Sequence, residues 1–124
     1  MKANISTLDK LLLIKAAKDK KANEPIIYKI AGGNEELVIK KPSAEAVLEE
    51  INNMDSEAPI MELWDNLIYL AMPELHDKDV LEKFECENNP VGVVAKIFSV
   101  GDRVSLGQAV KAVIDDVTIE KVKN

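Results

Sequence analysis

A mainly α (α+β) fold, one small domain of about five or six helices with a single β-hairpin in its amino-terminal half, is predicted by three features of the chain. Ile60, Leu63, Trp64, Leu67, Ile68 and Ala71 recur at helical spacing and fall on one stripe of an α-helix. Two runs rich in β-branched and aromatic residues, 26–31 and 37–39, flank the turn formers Gly32, Gly33 and Asn34. Prolines, asparagines and capping residues then punctuate the chain from Pro42 to Gly101 at helix-length intervals. With 124 residues the chain can bury one core and is too short for two, so 1–124 reads as a single domain.

Residues 1–24 supply an amino-terminal helix, capped by Ser6 or Thr7, with Leu8, Leu11, Leu12, Lys15 and Ala16 on its face. The hairpin takes 25–41. The helical core, 42–115, begins where Pro42 and Ser43 mark a helix start, followed by Ala46, Val47, Glu50 and Ile51 up to Asn52 and Asn53. The next helix is predicted over 59–72, with Ser56 as cap, Pro59 in the first turn, where its missing N–H costs nothing, and Pro73 as terminator. Asp77 caps a helix carrying Val80, Leu81 and Phe84, which Asn88, Asn89 and Pro90 close. Val91, Val94, Ala95, Ile97 and Phe98 form another apolar face that stops at Gly101. A last helix starting at Asp102 or Ser105 turns Leu106, Ala109, Val110, Val113 and Ile114 inward. Residues 116–124 have no stop signal and are expected to fray or to await a partner.

Composition is that of a globular protein, 47% hydrophobic and 31% charged, without the roughly 18 to 20 consecutive apolar residues of a membrane span, so no membrane partner is expected. The amino-terminal run Leu11 to Ile14 is too short for an export signal. Cys86 is the sole cysteine, which excludes a disulfide framework and a thiolate cluster and fits an intracellular setting. The net charge of −6 is unevenly spread: +4 over residues 1–41, −11 over 42–90 and +1 over 91–124. An acidic middle repels phosphate backbones, so no nucleic-acid partner is expected. Lys15, Lys18, Lys20 and Lys21 and the acidic segment read first as solvated helix faces. Their functional reading is steering toward a basic partner or a second copy of the chain.

No constellation points to catalysis. His76, the only histidine, stands beside Asp77 and Asp79 between two helices and is expected to be a surface-loop residue, since no nucleophile or ligand set accompanies it. Glu74, His76, Asp77 and Asp79 could be imagined as a metal-dependent hydrolase site, yet the glycine and terminal Glu of a calcium loop are missing. Cys86 has no histidine near it and reads as a small half-buried residue. Gly32 and Gly33 lie between strands rather than before a helix, which makes them turn residues and not a phosphate loop. No catalytic residue, metal or cofactor is therefore expected. Trp64, on the stripe, reads first as core, whereas Asn66, Tyr69 and Leu70 fall off it and offer a binding surface.

The order of these signals resembles the tail assembly chaperones of tailed bacteriophages and prophages. The resemblance spans roughly residues 25–115 and rests on the hairpin ending in Lys40, Lys41, Pro42 and Ser43, the helix with Leu67, Ile68 and Tyr69, the Met-Pro-Glu-Leu turn at 72–75, the segment capped by Asp77, and the Asn-Pro-Val helix with Val94, Ile97 and Phe98. It does not extend to the amino-terminal helix. The resemblance implies a non-enzymatic protein in the cytoplasm of a bacterial host that keeps the long helical tape measure protein soluble until tail-tube subunits enclose it. It also implies self-association, contact with tail-tube subunits, and a longer form made by frameshifting. A structural tail component or a regulatory protein-binding adaptor of a prophage is the alternative. The apolar and acidic middle, 56–98, is expected to hold the partner, with Leu63, Trp64, Tyr69, Leu70, Phe84 and Phe98 as candidate contacts.

Overall fold

The stripe through Trp64 folds into the helix that organises the core. In the computed structural model, which describes the backbone of residues 6–122 and the side chains of 6–114, the described residues form six α-helices and one two-stranded antiparallel sheet. These are α1 (Thr7–Asn23), β1 (Ile26–Lys29), β2 (Glu36–Ile39), α2 (Ala44–Asn53), α3 (Ile60–Ala71), α4 (Lys78–Lys83), α5 (Val93–Ile97) and α6 (Val100–Val122). Short 3-10 turns at Pro73–His76 and Pro90–Gly92 lead into α4 and α5. Helix makes up 66% of the chain, so the fold class is the predicted one.

Helices α3 and α6 form the main packing pair, and α2 lies against both. Val47, Leu67, Ile68, Val93, Val94, Leu106 and Val110 are fully buried between them. The two helix axes come together at Gly107, because a Cβ there would sit 2.6 Å from Trp64 Cβ and 2.9 Å from its Cα. Only a glycine permits that approach.

In the hairpin, Ile26 pairs with Ile39, Ile27 with Val38, Tyr28 with Leu37 and Lys29 with Glu36. The period-two alternation sends Ile26, Tyr28, Leu37 and Ile39 onto the helical core and leaves Ile27 and Val38 outside. Gly32 supplies the left-handed residue of the turn, with φ of 76°.

Predicted caps are found at three helix starts: the side chains of Ser6, Ser43 and Asp77 accept from the N–H of Asp9, Ala46 and Asp79. Elsewhere the boundaries differ. Helix α3 begins one residue after Pro59, and Ser56 does not cap it. Residues 90–98 do not form one helix but a 3-10 turn followed by the short α5. Gly101 is no stop signal, since it lies in the first turn of α6; Ser99 opens that helix instead, its hydroxyl accepting from Asp102 N–H at 3.2 Å. The helix α6 continues through Val122, so 116–122 is helical backbone rather than a separate tail; Lys123 and Asn124 lie outside the described residues.

Helix α4 also ends early, at Lys83. Glu85 takes φ of +56°, Cys86 N–H donates to Leu81 O at 2.8 Å and Glu85 N–H to Glu82 O, the paired bonds of a Schellman stop. Glutamate is strained in that left-handed position, and glycine is not. Glu85→Gly is expected to stabilise the fold by about 0.5 to 1 kcal/mol, the relief of strain minus the added chain entropy of glycine. A urea midpoint equal to or below that of the parent would show that the Glu85 side chain offsets its own strain.

Candidate interaction surface

Two polar clusters fix the hairpin and α3 onto α6. In the first, the buried Asp102 carboxylate accepts from Tyr28 Oη at 2.7 Å, from the Ala31 N–H at 3.2 Å and from Ser99 Oγ at 3.1 Å. The third residue of α6 thus ties down both the inner strand and the turn of the hairpin. The Tyr28 hydroxyl above all, opposed by burial and helped by Ala31 and Ser99, holds the Asp102 carboxyl below the usual carboxylate range. Burial, and then the bond to Asp102, push Tyr28 above its ordinary value.

These shifts fix the sign of the pH dependence. A depressed carboxyl adds stability above its unfolded value of about 4, and that contribution is lost as pH falls toward the folded value. The raised Tyr28 acts at the opposite end, adding stability that is present below about pH 10 and lost as pH rises beyond it. The stability advantage of the parent over Asp102→Asn is therefore expected to be full at neutral pH and to shrink below about pH 4, as read from thermal midpoints across that range. A difference that stays constant down to about pH 2 would remove Asp102 ionisation from the account.

In the second cluster, Arg103 of α6 and Asp65 of α3 form a bidentate pair, with Arg103 Nε donating to Asp65 Oδ1 at 2.9 Å and Nη2 to Oδ2. The side chains are 17% and 12% exposed, and the bond to Asp65 raises the Arg103 guanidinium further above its already high ordinary value. An open cleft lined by Met61, Glu62, Asn66, Asn89 and Val91 reaches this pair. Each charge is satisfied by the other.

The six predicted partner contacts are not an open face. Trp64 and Phe98 are buried, each 8% exposed, which corrects their placement as surface contacts; Leu63, Tyr69, Leu70 and Phe84 are half-buried and packed on the same core. Trp64 is held there by the close approach of Gly107. Asn66 and Tyr69 do lie off the stripe, but other parts of the chain cover them: Asn66 Nδ2 bonds Met54 Sδ at 3.1 Å, and the His76 ring stacks on Tyr69 with centroids 4.1 Å apart. His76 also donates from Nε2 to Tyr69 O at 2.7 Å, satisfying a last-turn carbonyl of α3. The only histidine is exposed and serves a helix end. Cys86 is buried rather than half-buried, with Sγ 3.3 Å from Phe84 O. Among the described residues, no group of three His, Cys, Asp or Glu converges as a metal site would require, and no helix is long and apolar enough to cross a membrane.

Exposed apolar surface lies elsewhere. No residue of α1 is buried, and Leu8, Leu11, Leu12, Leu13 and Ile14 are 56% to 64% exposed. The predicted face of Leu8, Leu11 and Leu12 stays exposed, and Leu13 and Ile14 point other ways at 100° per residue, so the first two turns carry apolar side chains on several sides, interleaved with Thr7, Asp9 and Lys10. The far end of α1 is anchored by Lys41 Nζ, which donates to Lys21 O at 3.1 Å, beside a cleft walled by Ala22, Pro42, Ala44 and Val113. On the hairpin, the cross-strand pair Ile27 and Val38 is 62% and 66% exposed, between two unpaired sheet edges. Leu48, Ile60, Ile97 and Val100 complete the exposed large apolar residues among the described side chains. The sequence signal for α1 was its four-residue apolar run, which suits a helix covered on several sides and not one lying on a single surface. No protein-family model, curated protein or solved structure matches the chain.

Proposed function

We propose that the protein is a non-catalytic chaperone of the phage tail assembly kind, acting in the host cytoplasm to hold an apolar helical client, a tape measure protein, until tail-tube subunits replace it. The observation that supports this reading is the amount of large apolar surface left open on a domain that has a complete core of its own. Isolated soluble domains rarely expose several large apolar groups together unless something binds there. Burying one such side chain contributes about 1.5 to 3 kcal/mol, so a few contacts suffice to compete with client aggregation.

The client surface is the outer face of the hairpin, where Ile27 and Val38 stand side by side as an apolar platform for a helix. It replaces the 56–98 stretch, whose candidate contacts Leu63, Trp64, Tyr69, Leu70, Phe84 and Phe98 are engaged in the core. The Asp102 network braces that platform from behind, so docking costs little ordering of the strands.

The test is coexpression with an apolar helical tape measure fragment and measurement of its soluble yield. The parent chain is expected to keep the fragment soluble, and Ile27→Lys with Val38→Lys is expected to abolish this while leaving the thermal midpoint within about 2 °C, since both positions are exposed. No gain in soluble fragment with the parent chain would reject the chaperone reading. Solubilisation unaffected by the double variant would move the client off the hairpin.

A further inference from the structure

We propose that α1 is an arm that docks in trans onto the acidic outer side of α2 and the loop leading into α3 of a second copy, linking copies head to tail. The proposal builds on the chaperone reading only in that a coat along a client needs contacts between its members; the contact itself requires no client.

Three observations single out this occupant. The first is charge: residues 7–23 carry five lysines against two aspartates, whereas residues 42–90 carry −11. Along one side of α1, Lys10, Ile14 and Lys18 follow at i, i+4 with Leu11 beside them, an apolar strip flanked by cations. The receiving elements have the converse pattern along the chain, with exposed Leu48 next to exposed Glu49 on α2, and exposed Ile60 between exposed Glu57 and Glu62 at the start of α3. Apolar burial supplies affinity, and the opposite charges set which surfaces pair.

The second is reach. The arm is tethered at Lys21, next to the start of its own α2. At 1.5 Å per residue, Ile14 and Leu8 stand about 10 and 20 Å out along a straight helix from that tether. Leu8, Leu11 and Ile14 on that stretch stay 56% to 64% exposed in their own chain, which leaves them open to a second copy.

The third is the alternative of bundled α1 helices, which would gather the lysine-rich ends of several arms against one another at a repulsive cost. An arm on one side of the molecule and its receiver on another make a heterologous contact, which extends into a chain or closes into a ring.

The experiment is sedimentation velocity on the full chain without client, across a concentration series and at low and high salt. The parent is expected to associate, more weakly at high salt. Leu11→Asn with Ile14→Asn disables the arm, and Glu49→Lys with Glu57→Lys disables the receiver; each double variant is expected to weaken association at least about tenfold with an unchanged helical circular dichroism spectrum. Mixed together, they are expected to form a 1:1 pair that grows no further, because one intact arm meets one intact receiver. A parent that stays monomeric, association that survives loss of the arm or of the receiver, or a mixture that remains monomeric would each overturn the proposal. A monomeric parent that still solubilises the client would overturn the arm alone, while an associating parent that does not would overturn the chaperone reading alone.

Discussion

Trp64→Ala is expected to lower the unfolding free energy by about 3 to 5 kcal/mol, the cost of emptying a large aromatic site in a packed core. Trp64 is 8% exposed on the α3 stripe, and its Cα and Cβ form the surface against which Gly107 brings α6. Helices held that close by a glycine have little freedom to collapse into the void, which places the cost toward the upper end of the range. Equilibrium urea unfolding followed by far-UV circular dichroism measures it. A midpoint unchanged within error, together with lost client binding, would move Trp64 from the core to an interface.

The contrast between Trp64 and α1 shows which parts of the molecule were legible in the sequence. The α3 stripe, the Gly-Gly-Asn hairpin turn and the caps at Ser6, Ser43 and Asp77 are local signals, written within a few residues of the structure they specify. The early end of α4 was not legible, because the left-handed stop falls on Glu85 where glycine is the usual marker. Gly101 misled in the opposite sense, being a glycine in a first helical turn whose start is fixed by Ser99. The surface was harder still. Tyr28 and Asp102 are 74 residues apart and Asp65 and Arg103 are 38 apart, so no spacing rule joins them. The same ignorance of tertiary neighbours made Trp64 and Phe98 plausible contacts, although both are buried, and gave no sign that the apolar face of α1 stays exposed.

Asp65→Ala is expected to cost about 3 to 5 kcal/mol, because it leaves the Arg103 guanidinium enclosed without its counter-charge. The geometry supports a penalty of that size: two parallel N–H to oxygen bonds join α3 to α6, and the guanidinium is only 17% exposed. The penalty belongs to the orphaned charge and not to the worth of the pair, so removing both charges should recover most of it. Asp65→Leu combined with Arg103→Met is expected to unfold within about 1 kcal/mol of the parent, since apolar replacement of a buried ion pair is often neutral or better. Chemical denaturation of the two single replacements and the double replacement gives the coupling directly. If Asp65→Ala costs under about 1 kcal/mol, water entering through the adjoining cleft already solvates Arg103 and the pair behaves as a surface ion pair. If the double replacement is as damaging as the single one, the pair fixes the crossing of α3 on α6 by its hydrogen-bond geometry, a role that apolar side chains of similar size cannot take over.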